Sequence, residues 1–116
     1  MKTAYINNEV LAENEYLKRT VETLVRHYNP VQIYLFGSRA RGTQSQDSDF
    51  DLMVVTRDRI PTSKRKEFYR ERNQWETVEA TDFILWSLNS FQEQLQLKCS
   101  LPTTVVEEGQ LLYEAA

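Results

Sequence analysis

Three strand-like stretches rich in apolar residues set the strongest limit on the fold of this chain. They span residues 31–36, 50–56 and 78–86. The segments around them show the three- and four-residue apolar spacing of amphipathic helices, or begin with the proline and capping residues that start helices. Strands that alternate with helices predict an α/β domain, or an α+β domain with a mixed sheet.

Prolines and capping residues predict the bounds of the helices. Residues 8–28 read as one helix that begins at a capping asparagine and ends before Pro30, because proline disfavours helical backbone in the residue before it. A second helix is predicted from Pro61 to about Trp75. The remaining predicted elements are helices over 89–97 and 102–108 and a short strand over 111–113.

Length and composition narrow the class of protein. A chain of 116 residues predicts a single domain over residues 1–116. The net charge of −3 gives no reason to expect direct nucleic-acid binding, and the single Cys99 leaves no internal disulfide. No secretion signal is visible, and no apolar run approaches the ~20 residues that span a bilayer. We therefore expect a cytoplasmic protein that does not engage a membrane.

Two aspartates open the second predicted strand. Asp49 and Asp51 lie on either side of Phe50. Side chains two positions apart share one face of a strand, so the two carboxylates are expected on the same face, about 7 Å apart. Like charges this close repel each other, and a divalent cation usually accounts for such a pair. Hard oxygen ligands suit Mg²⁺ or Mn²⁺. The other interpretation is a pair of solvated acids where a loop enters a strand.

A third carboxylate, Asp82, lies inside the third predicted strand. An acid among apolar strand residues is costly unless it is paired. If this strand lies beside the strand of Asp49 and Asp51, the three acids converge and can hold two metal ions. The alternative is that Asp82 forms a structural ion pair with an arginine.

The turn after the first predicted strand has the features of a phosphate-binding site. Gly37 allows a backbone N–H to approach an anion closely, and the Ser38 hydroxyl adds a donor. A helix that began at Ser38 would direct its N-terminus at the same anion. Arg39 and Arg41 add positive charge, unless they are simply solvated loop residues. Together with the acids, this turn suits a nucleoside triphosphate and its metal.

The combined pattern resembles the signature of the nucleotidyltransferase superfamily typified by DNA polymerase beta. Gly37-Ser38 is followed after ten residues by Asp49-Phe50-Asp51. The flanking segments 36–42 and 48–52 are similar to those of the minimal nucleotidyltransferases, the MntA-like group. The order of elements is similar over nearly the whole chain.

The resemblance implies a small mixed β-sheet flanked by helices, the polymerase beta-like fold. It also implies Mg²⁺-dependent transfer of a nucleotidyl group, usually AMP from ATP, with release of pyrophosphate. Asp49 and Asp51 would bind two Mg²⁺ ions, for which Mn²⁺ could substitute. Asp82 would share the catalytic metal and help to deprotonate the acceptor hydroxyl. Gly37 and Ser38 would hold the outer phosphates.

Stand-alone members of the minimal group are often antitoxins encoded beside a HEPN-domain toxin of the HepT type. They silence the toxin, an RNase, by adenylylating one of its tyrosines. The resemblance therefore implies a protein adenylyltransferase that acts as an antitoxin in a hetero-oligomer with such a toxin. The short chain fits this role, since we expect no second domain for a small acceptor. Two alternatives stay open: neutralisation by binding alone, and a homodimeric small-molecule nucleotidyltransferase.

A basic segment lies between the second and third predicted strands. Seven of the fourteen Lys and Arg residues fall between positions 57 and 72. This segment could meet an acidic partner or nucleotide phosphates. It could equally be a solvated helix face balanced by Asp58, Glu67 and Glu71.

Overall fold

A five-stranded sheet organises the protein. The computed structural model describes residues 3–37 and 50–116. The strands are β1 (Tyr5–Ile6), β2 (Gln32–Phe36), β3 (Phe50–Thr56), β4 (Thr81–Ser87) and β5 (Gln110–Glu114). The helices are α1 (Asn8–Ala12), α2 (Glu15–Tyr28), α3 (Thr62–Arg72), α4 (Leu88–Leu95) and α5 (Leu101–Glu108). No helix in these ranges is both long and apolar enough to cross a membrane.

The sheet is mixed, as the resemblance implied. Its strand order is β1-β5-β2-β3-β4. β3 and β4 are parallel, whereas the other neighbouring strands are antiparallel. Parallel neighbours need a long crossover connection, and α3 lies in the one that joins β3 to β4. The predicted class, a small mixed sheet flanked by helices, is confirmed.

Helices cover both faces of the sheet, and β3 contributes to both layers of the core. Leu52 and Val54 face the layer formed with α1, α2 and α3, which also contains Phe68. Met53 and Val55 face the smaller layer formed with α4 and α5. All four of these β3 residues are fully buried. The apolar character of both strand faces, which was visible in the sequence, therefore reflects a strand that is covered on both sides.

The predicted continuous helix over residues 8–28 is wrong. The structure has two helices, α1 and α2, separated at Glu13 and Asn14. The backbone of Asn14 is extended, and its side chain accepts a hydrogen bond from Leu17 N at 2.9 Å. This side chain satisfies a free N–H at the start of α2, so it favours a new helix over continuation of the first.

Further differences concern the bounds of predicted elements and one missing strand. α3 ends at Arg72, and two tight turns then carry the chain to the buried Trp75 instead of continuing the helix. β4 begins at Thr81 rather than near residue 78. The sequence interpretation also missed β1, which has only two residues and depends on its pairing with β5.

Ionic contacts join α2 to α3 at the protein surface. Arg26 donates two hydrogen bonds, of 2.8 and 2.7 Å, to the two carboxylate oxygens of Glu71. His27 Nε2 lies 3.0 Å from the same carboxylate. The hydrogen bonds from Arg26 lower the pKa of Glu71 from 4.5 to about 2. Burial raises this pKa by a smaller amount, and the contact with His27 lowers it further.

The lowered pKa of Glu71 predicts a pH-dependent contribution to stability. Because the folded-state pKa lies below the unfolded value, the contribution is present above about pH 4.5 and is lost as the pH falls toward about 2. The difference in unfolding free energy between wild type and Glu71→Gln should therefore shrink with acidification in urea titrations. Glu107→Gln, an exposed change on α5, should show no such trend. A difference that grows toward acid pH would contradict the assignment.

Phe68 is predicted to be a main support of the larger core layer. Its fully buried ring packs edge-on against Tyr69, Trp75 and Phe83. Phe68→Ala should lower the free energy of unfolding by about 3–5 kcal/mol, because it removes a large ring and leaves a cavity. Val106→Ala, at a position that is 45% exposed, should cost much less. Chemical denaturation measures both, and equal losses would contradict the prediction.

Candidate active site

The C-terminal end of β2 and the N-terminal ends of β3 and β4 lie at the same end of the sheet. β2 ends at Phe36, opposite Asp51 in the antiparallel β2–β3 pair. Asp51 is in turn the register partner of Asp82 in the parallel β3–β4 pair. Adjacent strands lie about 4.8 Å apart, so Asp51 and Asp82 are close neighbours. The end of β2 and these two aspartates therefore form one row across the sheet.

Asp51 and Asp82 belong to the same face of the sheet. Asp51 alternates with the buried Leu52, so it shares the face of Met53 and Val55. Register partners on neighbouring strands point to the same face, which assigns Asp82 to that face as well. Asp82 lies on the edge strand, and its side chain is 60% exposed. The two carboxylates thus belong to one face of the sheet, at the end where β3 and β4 begin.

Gly37 lies directly against the carboxylate of Asp51. Its φ angle of 78° belongs to the left-handed region that favours glycine. A Cβ atom at Gly37 would lie 2.6 Å from Oδ2 of Asp51, well inside van der Waals contact. Both the backbone angle and the close approach therefore require glycine here. The turn after β2 consequently brings backbone to the side of the acid.

Arg65 of α3 forms an ion pair with Asp82. Its Nη2 atom donates to Oδ1 of Asp82 at 2.7 Å, and the Tyr69 hydroxyl lies 3.4 Å from the same oxygen. The guanidinium group also stacks over the Phe83 ring, 4.7 Å from its centroid. The arginine partner that the sequence left open for Asp82 is therefore present. It balances the negative charge of one of two neighbouring carboxylates.

The structure describes only part of the predicted site. Gly37, Asp51 and Asp82 lie within the described ranges, and the sheet brings them together. Within residues 3–37 and 50–116, no cluster of three acidic, histidine or cysteine side chains could hold a metal ion. The other predicted site residues lie outside the described ranges; they are Ser38, Arg39, Arg41 and Asp49.

Arg65 is the site residue that the sequence interpretation did not single out. It belongs to the basic segment 57–72, but nothing local distinguishes it from its neighbours. Two of the three acids expected to balance this segment contact residues of α2 instead. Glu67 lies 3.8 Å from His27, and Glu71 pairs with Arg26.

Comparison with known proteins gives a family match over most of the chain. The family model described as "Polymerase beta, Nucleotidyltransferase" matches residues 18–116. No significant match was found among curated proteins.

Three crystal structures are similar to this chain. One is a variant of the MntA-HpeT toxin–antitoxin with two Asp-to-Glu substitutions two positions apart; it has 22% identity and a TM-score of 0.57, over 84% of this chain and 73% of that one. A toxin–antitoxin with AMP-PNP has 26% identity and a TM-score of 0.53, over the same shares. A candidate nucleotidyltransferase from Sulfolobus solfataricus has 21% identity and a TM-score of 0.52, over 84% and 76%. The likenesses below 25% identity show the fold alone.

The contact between Gly37 and Asp51 predicts an energetic coupling. Gly37→Ala should lower the free energy of unfolding by about 1–2 kcal/mol through its φ angle, and further through the clash with Oδ2. In an Asp51→Ala background the carboxylate is gone, so Gly37→Ala should lower the free energy of unfolding only by the contribution of the φ angle. A double-mutant cycle by chemical denaturation measures the difference. Equal costs in the two backgrounds would contradict the contact.

Proposed function

Because this chain belongs to the Polymerase beta nucleotidyltransferase family, we propose that it transfers AMP from ATP to a hydroxyl group of a partner protein. One observation carries the proposal: Gly37, Asp51 and Asp82 form a row at the end of the sheet where β3 and β4 begin. Phosphoryl chemistry needs oxygen ligands for a divalent metal beside a backbone that can approach phosphate. This row supplies both.

The donor set of the row suits divalent cations. Asp51 and Asp82 offer hard carboxylate oxygens on adjacent strands, and Gly37 leaves the space beside Asp51 free of a side chain. We assign to them, together with Asp49, the binding of two Mg²⁺ ions, for which Mn²⁺ can substitute. Bound there, such ions neutralise phosphate charge and make a hydroxyl a better nucleophile.

The remaining predicted residues complete a nucleotide site in this proposal. The backbone at Gly37 and the Ser38 hydroxyl would hold the outer phosphates of ATP. Arg39 and Arg41 would add positive charge beside them. The chain's own role would thus be to bind the triphosphate and to hold its α-phosphorus within reach of the acceptor hydroxyl.

The proposed transfer makes one bond to phosphorus and breaks another. The acceptor oxygen forms a bond to the α-phosphorus of ATP, and the bond from that phosphorus to the oxygen that bridges to the β-phosphate breaks. Pyrophosphate leaves, and the hydroxyl proton passes to a carboxylate, which we assign to Asp82. Asp82 can accept this proton on Oδ2, because Arg65 and Tyr69 contact its other oxygen, Oδ1. Arg65 compensates the charge of Asp82 when no ligand is bound.

The similar structures support a toxin as the protein acceptor. Two of them are toxin–antitoxins, and the one at 26% identity was crystallised with AMP-PNP, an ATP analogue. In the MntA-HpeT variant, the two substituted aspartates are two positions apart. Asp49 and Asp51 have the same spacing in this chain. We therefore propose that the chain is the antitoxin of such a pair. Its partner would be a HEPN-domain toxin of the HepT type in a cytoplasmic hetero-oligomer, with a tyrosine as the acceptor.

The proposal predicts a mass change in the partner that depends on the acid pair. The product of the neighbouring gene is co-expressed with wild type, with Asp49→Asn/Asp51→Asn, or with the control Asp58→Asn, an exposed acid beyond the end of β3. Intact-mass spectrometry should find one or more added AMP units with wild type and control. The double variant should add none, because it lacks the carboxylates that we assign to the metal, while remaining folded by circular dichroism.

Three results would each contradict a part of the proposal. Normal transfer by a folded double variant would show that these acids do not carry the reaction. No mass change with any form, accompanied by a stable complex, would favour neutralisation by binding alone. Transfer to a small molecule by a dimer of this chain would favour the remaining alternative.

A further inference from the structure

A tyrosine hydroxyl of the chain itself lies beside the proposed site. Tyr69 belongs to α3, and its hydroxyl donates a hydrogen bond of 3.4 Å to Oδ1 of Asp82. Tyr69 is half-buried and the side chain of Asp82 is 60% exposed, so the contact lies at the protein surface. Asp82 is the carboxylate to which the proposed function assigns the proton of the acceptor. A hydroxyl of the same chemical kind as the proposed acceptor is therefore its neighbour.

Ring packing on β4 determines where this hydroxyl lies. The Tyr69 ring stacks on Phe83 with the centroids 5.4 Å apart, and it packs edge-on against Phe68 at 5.3 Å. Phe83 is fully buried and directly follows Asp82 in the strand. A tyrosine ring loses little conformational entropy when it is held, since only two side-chain angles move it. The packing therefore keeps the hydroxyl near Asp82 before any ligand binds.

The hydroxyl of Tyr69 is not needed to hold Asp82 in place. Arg65 already donates to the same carboxylate oxygen at 2.7 Å. The 3.4 Å contact of Tyr69 is longer than the typical O–H···O distance of about 2.7–2.8 Å. Tyr16 and Tyr28 instead donate to backbone carbonyls at 2.8 and 2.7 Å, as expected for hydroxyls with a structural role. The Tyr69 hydroxyl is thus loosely held and can change its partner at little cost.

Two arginines place positive charge beside the ring of Tyr69. The guanidinium group of Arg72 lies 4.8 Å from the ring centroid, and that of Arg65 lies 6.0 Å from it. Within residues 3–37 and 50–116, no carboxylate forms an ion pair with Arg72. A tyrosine that carries AMP bears a phosphodiester with one negative charge. The two arginines are therefore positioned to compensate the charge of that product.

We propose that the protein also transfers AMP from ATP to its own Tyr69, which makes Tyr69 a site of self-adenylylation. This inference rests on the proposed function, because it uses the same nucleotide, the same carboxylates and the same kind of acceptor. It adds an acceptor that requires no partner protein. Three observations carry it: the hydroxyl beside Asp82, the ring packing that holds it there, and the arginines beside the ring.

The self-transfer needs no reactant beyond ATP. The phenolic oxygen of Tyr69 forms a bond to the α-phosphorus of ATP, and the bond from that phosphorus to the oxygen that bridges to the β-phosphate breaks. Pyrophosphate leaves. The phenolic proton passes to Oδ1 of Asp82, to which the hydroxyl already donates. A carboxylate oxygen has two lone pairs, so Oδ1 can accept this proton beside the contact with Arg65.

Mass spectrometry of the purified protein alone tests the proposal. The intact mass is measured before and after incubation with ATP and Mg²⁺, without any partner. We expect one AMP unit on the incubated wild type, and peptide fragmentation should locate it on Tyr69. Tyr69→Phe should carry at least tenfold less, because phenylalanine keeps the ring but lacks the acceptor oxygen. Tyr5→Phe is the matched control: it removes an exposed hydroxyl at the opposite edge of the sheet and should behave as wild type.

The rate distinguishes transfer within one chain from transfer between chains. Tyr69 and Asp82 contact each other within one fold. At saturating ATP, we therefore expect first-order modification with a half-time that stays constant over a tenfold range of protein concentration. A half-time that shortens in proportion to protein concentration would mean that one copy modifies another. That result would overturn the assignment of this contact as the reacting geometry.

Three further results would overturn the proposal. The first is an unchanged mass in a preparation of wild type that does modify the neighbouring gene's product. The second is an AMP unit that fragmentation locates on a residue other than Tyr69. The third is modification of Tyr69 at the wild-type rate in folded Asp49→Asn/Asp51→Asn protein, which would show that the label does not come from the proposed site.

Failure of this inference is distinguishable from failure of the proposed function. Transfer of AMP to the neighbouring gene's product by a wild-type protein whose Tyr69 stays unmodified would remove the self-transfer and leave the function. An AMP unit on Tyr69 without transfer to that product would leave the self-transfer and remove the partner as acceptor. No AMP on either protein would remove both.

Discussion

The parallel pairing of β3 with β4 is the constraint on which the candidate site depends. It aligns the starts of the two strands, and Asp51 and Asp82, each the second residue of its strand, become register partners. Parallel pairing requires a crossover, and α3 lies in that connection. The same helix inserts Phe68 into the core and extends Arg65 to Asp82. The connection between β3 and β4 therefore makes the two acids neighbours and also supplies the positive charge of Arg65 that pairs with one of them.

Electrostatic balance explains how two neighbouring acids coexist in the folded protein. Adjacent carboxylates repel each other, which disfavours the arrangement unless one charge is compensated. Arg65 compensates Asp82, and its position is supported by the Phe83 ring beneath it. Asp51 is held differently, against the backbone of Gly37, which has no side chain to exclude it. In the proposed function, bound metal ions compensate the negative charge of Asp82. Arg65 compensates it when no ligand is bound.

The sequence predicted the parts of this architecture that local patterns determine. Short segments with apolar residues on both faces located β2 and β3, and the chain order suggested that the strand of Asp82 could lie beside that of Asp51. The break between α1 and α2 at Asn14 was not predicted, because it depends on one side-chain hydrogen bond. The apolar spacing around it is that of one continuous helix. β1 escaped because its pairing with β5 comes from the opposite end of the chain. Arg65 escaped because its partner is seventeen positions away, in a different element, and several neighbouring basic residues look alike.

A crystal structure with Mn²⁺ and AMP-PNP would show whether the row of Gly37, Asp51 and Asp82 binds metal and nucleotide, because the anomalous signal of manganese locates the metal without reference to activity. We expect manganese bound by Asp51 and Asp82, the triphosphate beside Gly37, and Arg65 released from Asp82. Manganese bound away from this row, or its absence while Arg65 still holds Asp82, would contradict the assignment of the row as the metal and nucleotide site.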